Sequence, residues 1–448
     1  MKLLLLKVLY IIAFCITCNT IIAQNNIDNL ISASQWNSLF PKRAGTLSAH
    51  PQGYTSDFYS YTNLKTAIDE MSDYLVEIRK KQGVWGELTT ITKKSTNTTY
   101  VYSDVENWWH NNPTPETIIT VDFQDFVNKS SNSNNKRELA AFLANISKET
   151  TGGWQLPVGG GSNGDYAQWG LYFVHEVGYT SANGAGTYSD ATNTNYPPNP
   201  AVGYYGRGPI QLSWNYNYGQ FSKFLYNDPS VLLNNPDLIQ QNGALAFKSA
   251  IWFWMMPQCP KPSCHQVMHE LWSAEPGDYS QNTMYKKGFA HTNNIINGGL
   301  ECRTASSSAF TEKVVLRSEL YKYYLDIMGF SAAEITQEDS GEYSTLCYQS
   351  NTIAMEDYAN CQYNTLSVNN FNNNKFTISP NPVINKVNIS NTHSIQKIEI
   401  YNITGQKLVV LTPNTNTTTI NMSALNKGLY IIVITSQNKL STSKLIKQ

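Results

Sequence analysis

The sequence predicts a mainly α-helical domain followed by a small C-terminal β-sandwich, and three stretches carry that prediction. Between Lys136 and Lys148, Leu139, Phe142, Leu143 and Ile146 follow the i, i+3, i+4, i+7 spacing of an amphipathic helix, with Asn134 or Asn135 as its cap. Ala244 to Met256 is apolar nearly all round, as a buried helix is, and Pro257 ends it. From Lys375 onward the chain breaks into short alternating runs separated by turns: 376–379, 387–389, 398–401, 407–411, 418–422, 429–434 and 443–446. That is the pattern of a small sandwich.

Taken in order, residues 1–23 combine a basic start (Lys2, Lys7), a short apolar run from Val8 to Ile16 and the small residue Ala23. They read as an export signal. The run is too short to span a bilayer, and no later segment approaches the length required. From about Ile31 to Tyr324 the texture is helical, with strand-like alternation rare. Loops rich in Gly, Asn, Tyr and Pro (159–164 and 180–209) interrupt it, and such loops line grooves. Residues 347–374 are Asn-rich and poor in apolar side chains, which marks a linker. The expected division is therefore 24–346 for the helical domain, 347–374 for the linker and 375–448 for the sandwich.

Composition narrows the ligand. The 448 residues carry a formal net charge of −1, so there is no basic excess to neutralise phosphates, and nucleic acid is not expected as a partner. Only 15% of residues are charged, against about a quarter in an average domain. Asn, Ser, Thr and Tyr take their place and give a neutral, hydrogen-bonding surface suited to sugar. Aromatics reach 12%; most fill the core, and the remainder suit stacking on pyranose faces.

Two carboxylates stand out. Glu149 lies just past the 136–148 helix at the edge of its apolar stripe, where partial desolvation favours the protonated form that a general acid requires. Glu176 follows the aromatic run Trp169-Gly170-Leu171-Tyr172-Phe173-Val174-His175, across a Gly-rich loop. Glycosidic hydrolysis needs two carboxylates on opposite sides of a groove, one to protonate the leaving oxygen and one to activate water. A third segment, from Tyr205 to Tyr218, alternates amide, hydroxyl and aromatic groups able to bind sugar hydroxyls and hold a water.

Seven blocks carry a resemblance: Glu149-Thr-Thr-Gly-Gly-Trp154, Tyr205-Gly-Arg-Gly-Pro-Ile-Gln-Leu-Ser213, Asn215-Tyr-Asn-Tyr-Gly219, Asn235-Pro-Asp-Leu238, Phe247 to Met255, Lys261-Pro-Ser263 and Asn297-Gly-Gly-Leu-Glu-Cys302. In that order they resemble glycoside hydrolase family 19 chitinases, from about Ile31 to Gly329. The resemblance implies a lysozyme-like two-lobed fold and endo-hydrolysis of β-1,4-linked N-acetylglucosamine with inversion. Glu149 then matches the general acid, Glu176 the general base and Ser213 the residue that positions the attacking water. Gln211, Tyr216, Asn217, Lys261, Asn297, Arg317 and Trp169 fall on substrate-binding positions. Lys148 replaces the family's usual His, and a cation beside Glu149 favours its anionic form. The stretches 155–168 and 77–135 are longer than in compact plant enzymes, which changes groove length rather than chemistry. The alternatives are a muramidase acting on peptidoglycan and a chitin-binding protein without catalysis.

The same resemblance guides the cysteines. Cys302 matches a family cysteine that bonds toward the C-terminal end, here Cys347 or Cys361. The expected pairs are Cys259–Cys264, closing a loop around Lys261, and Cys302–Cys347, with Cys361 free or competing for a partner. His265 and His269 stand four apart beside Cys264 and Glu270, but the order is not His-Glu-x-x-His and the family implies no metal or cofactor, so neither is expected. Residues 376–448 resemble the C-terminal sorting domains of Bacteroidetes type IX secretion substrates, through Ser379-Pro-Asn-Pro382, Ile400-Tyr-Asn-Ile-Thr-Gly405 and Lys427-Gly-Leu-Tyr430. A carbohydrate-binding sandwich is the rival there; only Tyr401 and Tyr430 offer it an exposed ring. Together these features imply a monomeric protein exported through the periplasm by the type IX machinery to the cell surface or medium, acting on chitin or chitooligosaccharides.

Overall fold

A computed structural model describes residues 26–81, 84–153, 165–258, 261–272, 287–303, 307, 309–347, 376–402, 406–436 and 439–448. The chain divides into two compact units, one formed by 1–104 and 114–363, the other by 105–113 and 364–448.

Seven helices of seven residues or more are described in the first unit: α1 Ala33–Leu39, α2 Tyr61–Met71, α3 Asn132–Thr150, α4 Asn215–Tyr226, α5 Gly243–Met255, α6 Phe289–Glu301 and α7 Glu312–Ile327. α3 is longer than the sequence predicts at both ends. Its cap is Ser131, whose hydroxyl accepts from the Asn134 amide, rather than Asn134 or Asn135, and Glu149 lies inside the helix instead of beyond it. The expected stripe of Leu139, Phe142, Leu143 and Ile146 is fully buried, and Ala140, Ala141 and Ala144 are buried too. Those small residues leave room for neighbours on the remaining faces, α7 among them. α5 spans the expected apolar segment; Asn242 caps it, and a Cβ on its first residue, Gly243, would sit 2.0 Å from the Phe58 carbonyl oxygen.

The helical reading of 31–324 overlooks one element. Residues 74–122 contain a four-stranded antiparallel sheet, β1 Tyr74–Lys81, β2 Val84–Lys93, β3 Thr98–Ser103 and β4 Glu116–Asp122, in the order β3-β2-β1-β4. Val76, Ile78, Ile91 and Val121 point into the core of this unit. Thr, Glu and Arg fill the outward positions, so the alternation is present but muted.

The second unit is a six-stranded sheet: β5 Thr377–Ser379, β6 Lys386–Asn402, β7 Lys407–Leu411, β8 Thr415–Asn421, β9 Gly428–Ser436 and β10 Lys439–Lys447. The expected runs at 387–389 and 398–401 are one long strand, β6. Its first part pairs with β5 and β8, and its second part with β7 and β9. Changing partners halfway lets one strand line both parts of a single core, built on Val387, Ile389, Ile398, Ile400, Ile432 and Ile434. Tyr430 is buried and its hydroxyl donates to the Asn426 carbonyl, so it offers no free ring to a sugar. Among the described residues, no helix is long and apolar enough to cross a membrane.

Candidate active site

Glu149 occupies the last turn of α3, and two other helices, α6 and α7, meet it there. Arg317 of α7 is fully buried. One of its terminal nitrogens donates to Glu149 Oε1, its Nε donates to Glu301 Oε2 at 2.8 Å, and its Nη1 donates to Asn145 Oδ1 at 2.8 Å. Glu301, the last residue of α6, is itself buried and accepts from Asn297 Nδ2 at 3.0 Å. That contact depends on a break in α6: Asn297 has φ −149° and ψ 30°, which leaves the helical path and turns its side chain back on Glu301. Burial opposes the charge on Arg317, yet Glu149 and Glu301 outweigh it and raise the guanidinium above its ordinary value. Burial likewise opposes the Glu301 charge, and Arg317 overrides it, so this carboxyl is held below its usual range. Lys148 belongs to the same electrostatic neighbourhood. Burial, and then Arg317, push its ammonium below the usual lysine value.

Glu176 is held differently. It lies on irregular chain, where its amide donates to the Gly206 carbonyl at 2.8 Å while the Gly206 amide donates back to Glu176 Oε2 at 3.2 Å. Tyr188 donates its hydroxyl to Oε1 at 2.8 Å, and burial together with Glu176 pushes that phenol up to about 12. Both side-chain partners are neutral donors. The loop that presents Gly206 is pinned by buried Arg207, which donates to the carbonyls of Gly203 and Tyr205, to the Tyr218 hydroxyl and to Asp237 at 2.6 Å.

The polar strip lies beside Gly206. Gln211 and Trp214 both have positive φ, 50° and 74°, and these two kinks set the direction of the residues between them. Ser213 Oγ donates to the Gln211 carbonyl at 2.9 Å, and Asn217 Nδ2 donates to the Ser213 carbonyl at 2.8 Å. Trp214 stays partly exposed, stacks with Tyr216 at 6.1 Å and meets Tyr188 edge-on, which links the strip to the ring that holds Glu176.

Thr150 ties the two halves together. Its carbonyl accepts from Phe173, three residues before Glu176, and its hydroxyl accepts from Leu171. Of the expected set, Glu149, Arg317, Asn297 and Lys261 gather on the helical side. Lys261 Nζ reaches the Ile295 carbonyl at 3.2 Å. Glu176, Gln211, Ser213, Tyr216 and Asn217 gather on the loop side. Trp169, under the Lys42 ammonium at 4.2 Å, is joined to the end of α3 through the Gly152 amide. Sequence reasoning assigns no role to Glu301 or Tyr188. Glu301 stands in the Asn297–Cys302 block, where its acidity is the available signal, whereas one tyrosine in a Tyr-rich loop gives none.

Cys302 and Cys347 are disulfide-bonded, as expected. The expected Cys259–Cys264 bond is not formed: Cys264 is a free, buried thiol. It is the first residue of the short helix Cys264–Met268, whose Ser263–Gln266 capping box turns its sulfur inward, 3.9 Å from the Thr292 carbonyl. Burial raises the thiol well above its usual value. Cys259, Cys361, Trp154 and the signal-like segment 1–23 lie outside the described residues.

Residues 115–337 match the model of the class I chitinases, and residues 377–448 match that of the secretion system C-terminal sorting domain. The chain thus carries a glycoside hydrolase family 19 chitinase domain followed by a secretion sorting domain. It is 42% identical over 207 residues to endochitinase A2 of Pisum sativum, covering 46% of this chain and 57% of that one. Against endochitinase 1 of Gossypium hirsutum it is 44% identical over 211 residues, covering 47% and 59%. The chain spans a little over half the length of these curated relatives. The family 19, class IV chitinase from Zea mays aligns with 68% of this chain and 94% of its own at 20% identity, with a TM-score of 0.39.

Proposed function

We propose that this protein is an exported endochitinase that hydrolyses β-1,4-N-acetylglucosaminide bonds with inversion. The observation that carries the proposal is the pair of carboxylates held by opposite means on either side of the Thr150 link: Glu149 by buried charge, Glu176 by neutral donors. In this reading Glu149 gives its proton to the leaving glycosidic oxygen while Glu176 takes one from the attacking water, whose oxygen bonds to the anomeric carbon on the opposite face. Ser213 orients that water. Gln211, Tyr216, Asn217, Lys261, Asn297 and Trp169 bind sugar.

An arginine on an acid opposes the acid's task, because it favours the charged form. Glu301 answers part of that charge, so Arg317 orients Glu149 without wholly claiming it.

The finer architecture belongs to the same proposal: two lobes around the groove, a sandwich at 375–448, a linker at 347–374, and export of the monomeric chain through the periplasm by the type IX machinery. A chitin hexamer tests the activity. Cleavage to shorter oligomers is expected, whereas turnover of peptidoglycan alone would make the protein a muramidase, and tight chitin binding without products would make it a lectin-like protein.

A further inference from the structure

Glu138 lies in the second turn of α3, separated from Glu149 by about 16 Å of helix. Its side chain is fully buried, and both carboxylate oxygens are engaged by neighbours. Each oxygen has one fixed neutral donor, the Trp254 indole on Oε1 at 3.0 Å and the Val127 amide on Oε2 at 2.8 Å. The other lone pair of each faces an imidazole, with His265 Nδ1 2.7 Å from Oε1 and His269 Nε2 2.9 Å from Oε2. A buried carboxylate requires a positive charge in contact with it. Neither Trp254 nor Val127 supplies one, so it comes from the side of the two rings, as an imidazolium or as an ion that the rings and the carboxylate hold together.

Three features suit a metal ion there. The ligand atoms of Glu138, His265 and His269 all lie within 4.8 Å of one another. The histidines are four apart, at the start and just beyond the end of the short helix Cys264–Met268, with Glu138 supplied by a different helix. Ser130 Oγ lies 3.1 Å from His269 Nδ1, the kind of outer hydrogen bond that orients a metal-binding imidazole. A cavity of about 430 Å³ is lined in part by His269 and brings an entry path to the edge of the cluster. Its walls include Asn134, Arg137, Glu270, Glu338 and Tyr343; the one arginine there is paired with Glu338 at 2.6 Å.

We propose that Glu138, His265 and His269 bind one zinc-class divalent cation, which clamps the Asn132–Thr150 helix to the Cys264–Met268 helix. Two imidazole nitrogens and one carboxylate select a borderline ion over calcium or magnesium. On binding, each ring turns a lone pair rather than an N–H toward the cation: the ring proton moves to the other nitrogen, as the Ser130 contact at His269 Nδ1 allows, or, from an imidazolium, leaves to solvent. Cys264 and Glu270, the neighbours suggested by sequence, are not ligands: the thiol points to Thr292, and Glu270 accepts from the Tyr343 hydroxyl.

The test uses the full chain, stripped with chelator and titrated with Zn²⁺ against a chromophoric competitor. One equivalent should bind with a dissociation constant of about 1 µM or tighter, and Zn²⁺ should raise the unfolding temperature by mass action. His269→Gln should weaken binding at least about a hundredfold, while Ser130→Ala, which keeps every ligand, should weaken it about ten- to a hundredfold. Unchanged affinity in both His269→Gln and Ser130→Ala, or no saturable binding by the stripped wild-type chain, would overturn the proposal.

Discussion

The two carboxylates of the site differ in what holds them. Glu149 sits at the end of a buried helix and contacts a buried guanidinium that is shared with a second buried carboxylate. Glu176 sits on irregular chain and takes one backbone amide and one phenol. Buried charges are stiff and interdependent, since removing one leaves another uncompensated, while neutral donors are lost singly. Both groups change protonation in the proposed cycle, but they start it in opposite forms: the group that starts protonated depends on a charge network, and the group that starts as the anion needs donors that keep it aligned.

The largest effect should come from Glu149→Gln, which removes the proton donor and keeps the shape. A loss of about a hundred- to ten-thousandfold in turnover on chitin oligomers is expected, with substrate still bound. Retention of more than about a tenth of the rate would end the assignment of Glu149 as acid.

Glu301→Gln sharpens the comparison from the acid side. With its partner gone, Arg317 acts on Glu149 alone and favours its anion, so the alkaline limb of the kcat profile should move to lower pH and turnover should fall about tenfold or more. An unshifted limb would mean that Glu301 is merely structural. The same substitution has a signature in stability. The Glu301 carboxyl titrates below its ordinary 4.5 in the folded protein, so the stability it contributes is present above that pH and lost as pH falls beneath it. Wild type should lose unfolding temperature across that acid range more steeply than Glu301→Gln.

On the base side, Tyr188→Phe deletes one neutral donor and leaves the Gly206 amide in place. A loss of about two- to twelvefold is expected, the equivalent of the roughly 0.5–1.5 kcal/mol of one hydrogen bond, with the pH limbs barely moved. A collapse comparable to that of Glu149→Gln would erase the contrast between the two halves. The smallest effect belongs to deletion of 376–448, which should leave turnover on soluble oligomers unchanged while export is lost. Secretion assays of the truncated and full chains check this.

What the sequence reveals follows the same division. α3 and α5 are legible because an apolar pattern sustained over a dozen residues overrides local ambiguity. The start of α3 is not, because Ser131, Asn134 and Asn135 all have capping side chains and only packing selects among them. The 74–122 sheet is muted by its Thr- and charge-bearing outer face. β6 reads as two strands, because 391–394 carries polar residues through the point where its partners change. Glu149 and Glu176 stand in recognisable motifs. The Arg317–Glu301 pair and the contacts of Glu138 with His265 and His269 join residues 16 to 131 positions apart, which no local pattern encodes. The Cys259–Cys264 expectation fails for a related reason: proximity in sequence says nothing about a capping box that turns one sulfur into the core.

The most direct test of the acid–base account is the anomeric form of the first product. Followed by proton NMR from the moment the enzyme meets a chitin hexamer, new reducing ends should appear as the α-anomer and only later mutarotate. The β-anomer appearing first would require a covalent or substrate-assisted intermediate, and would contradict Glu176 as the base and Ser213 as the residue that orients the attacking water.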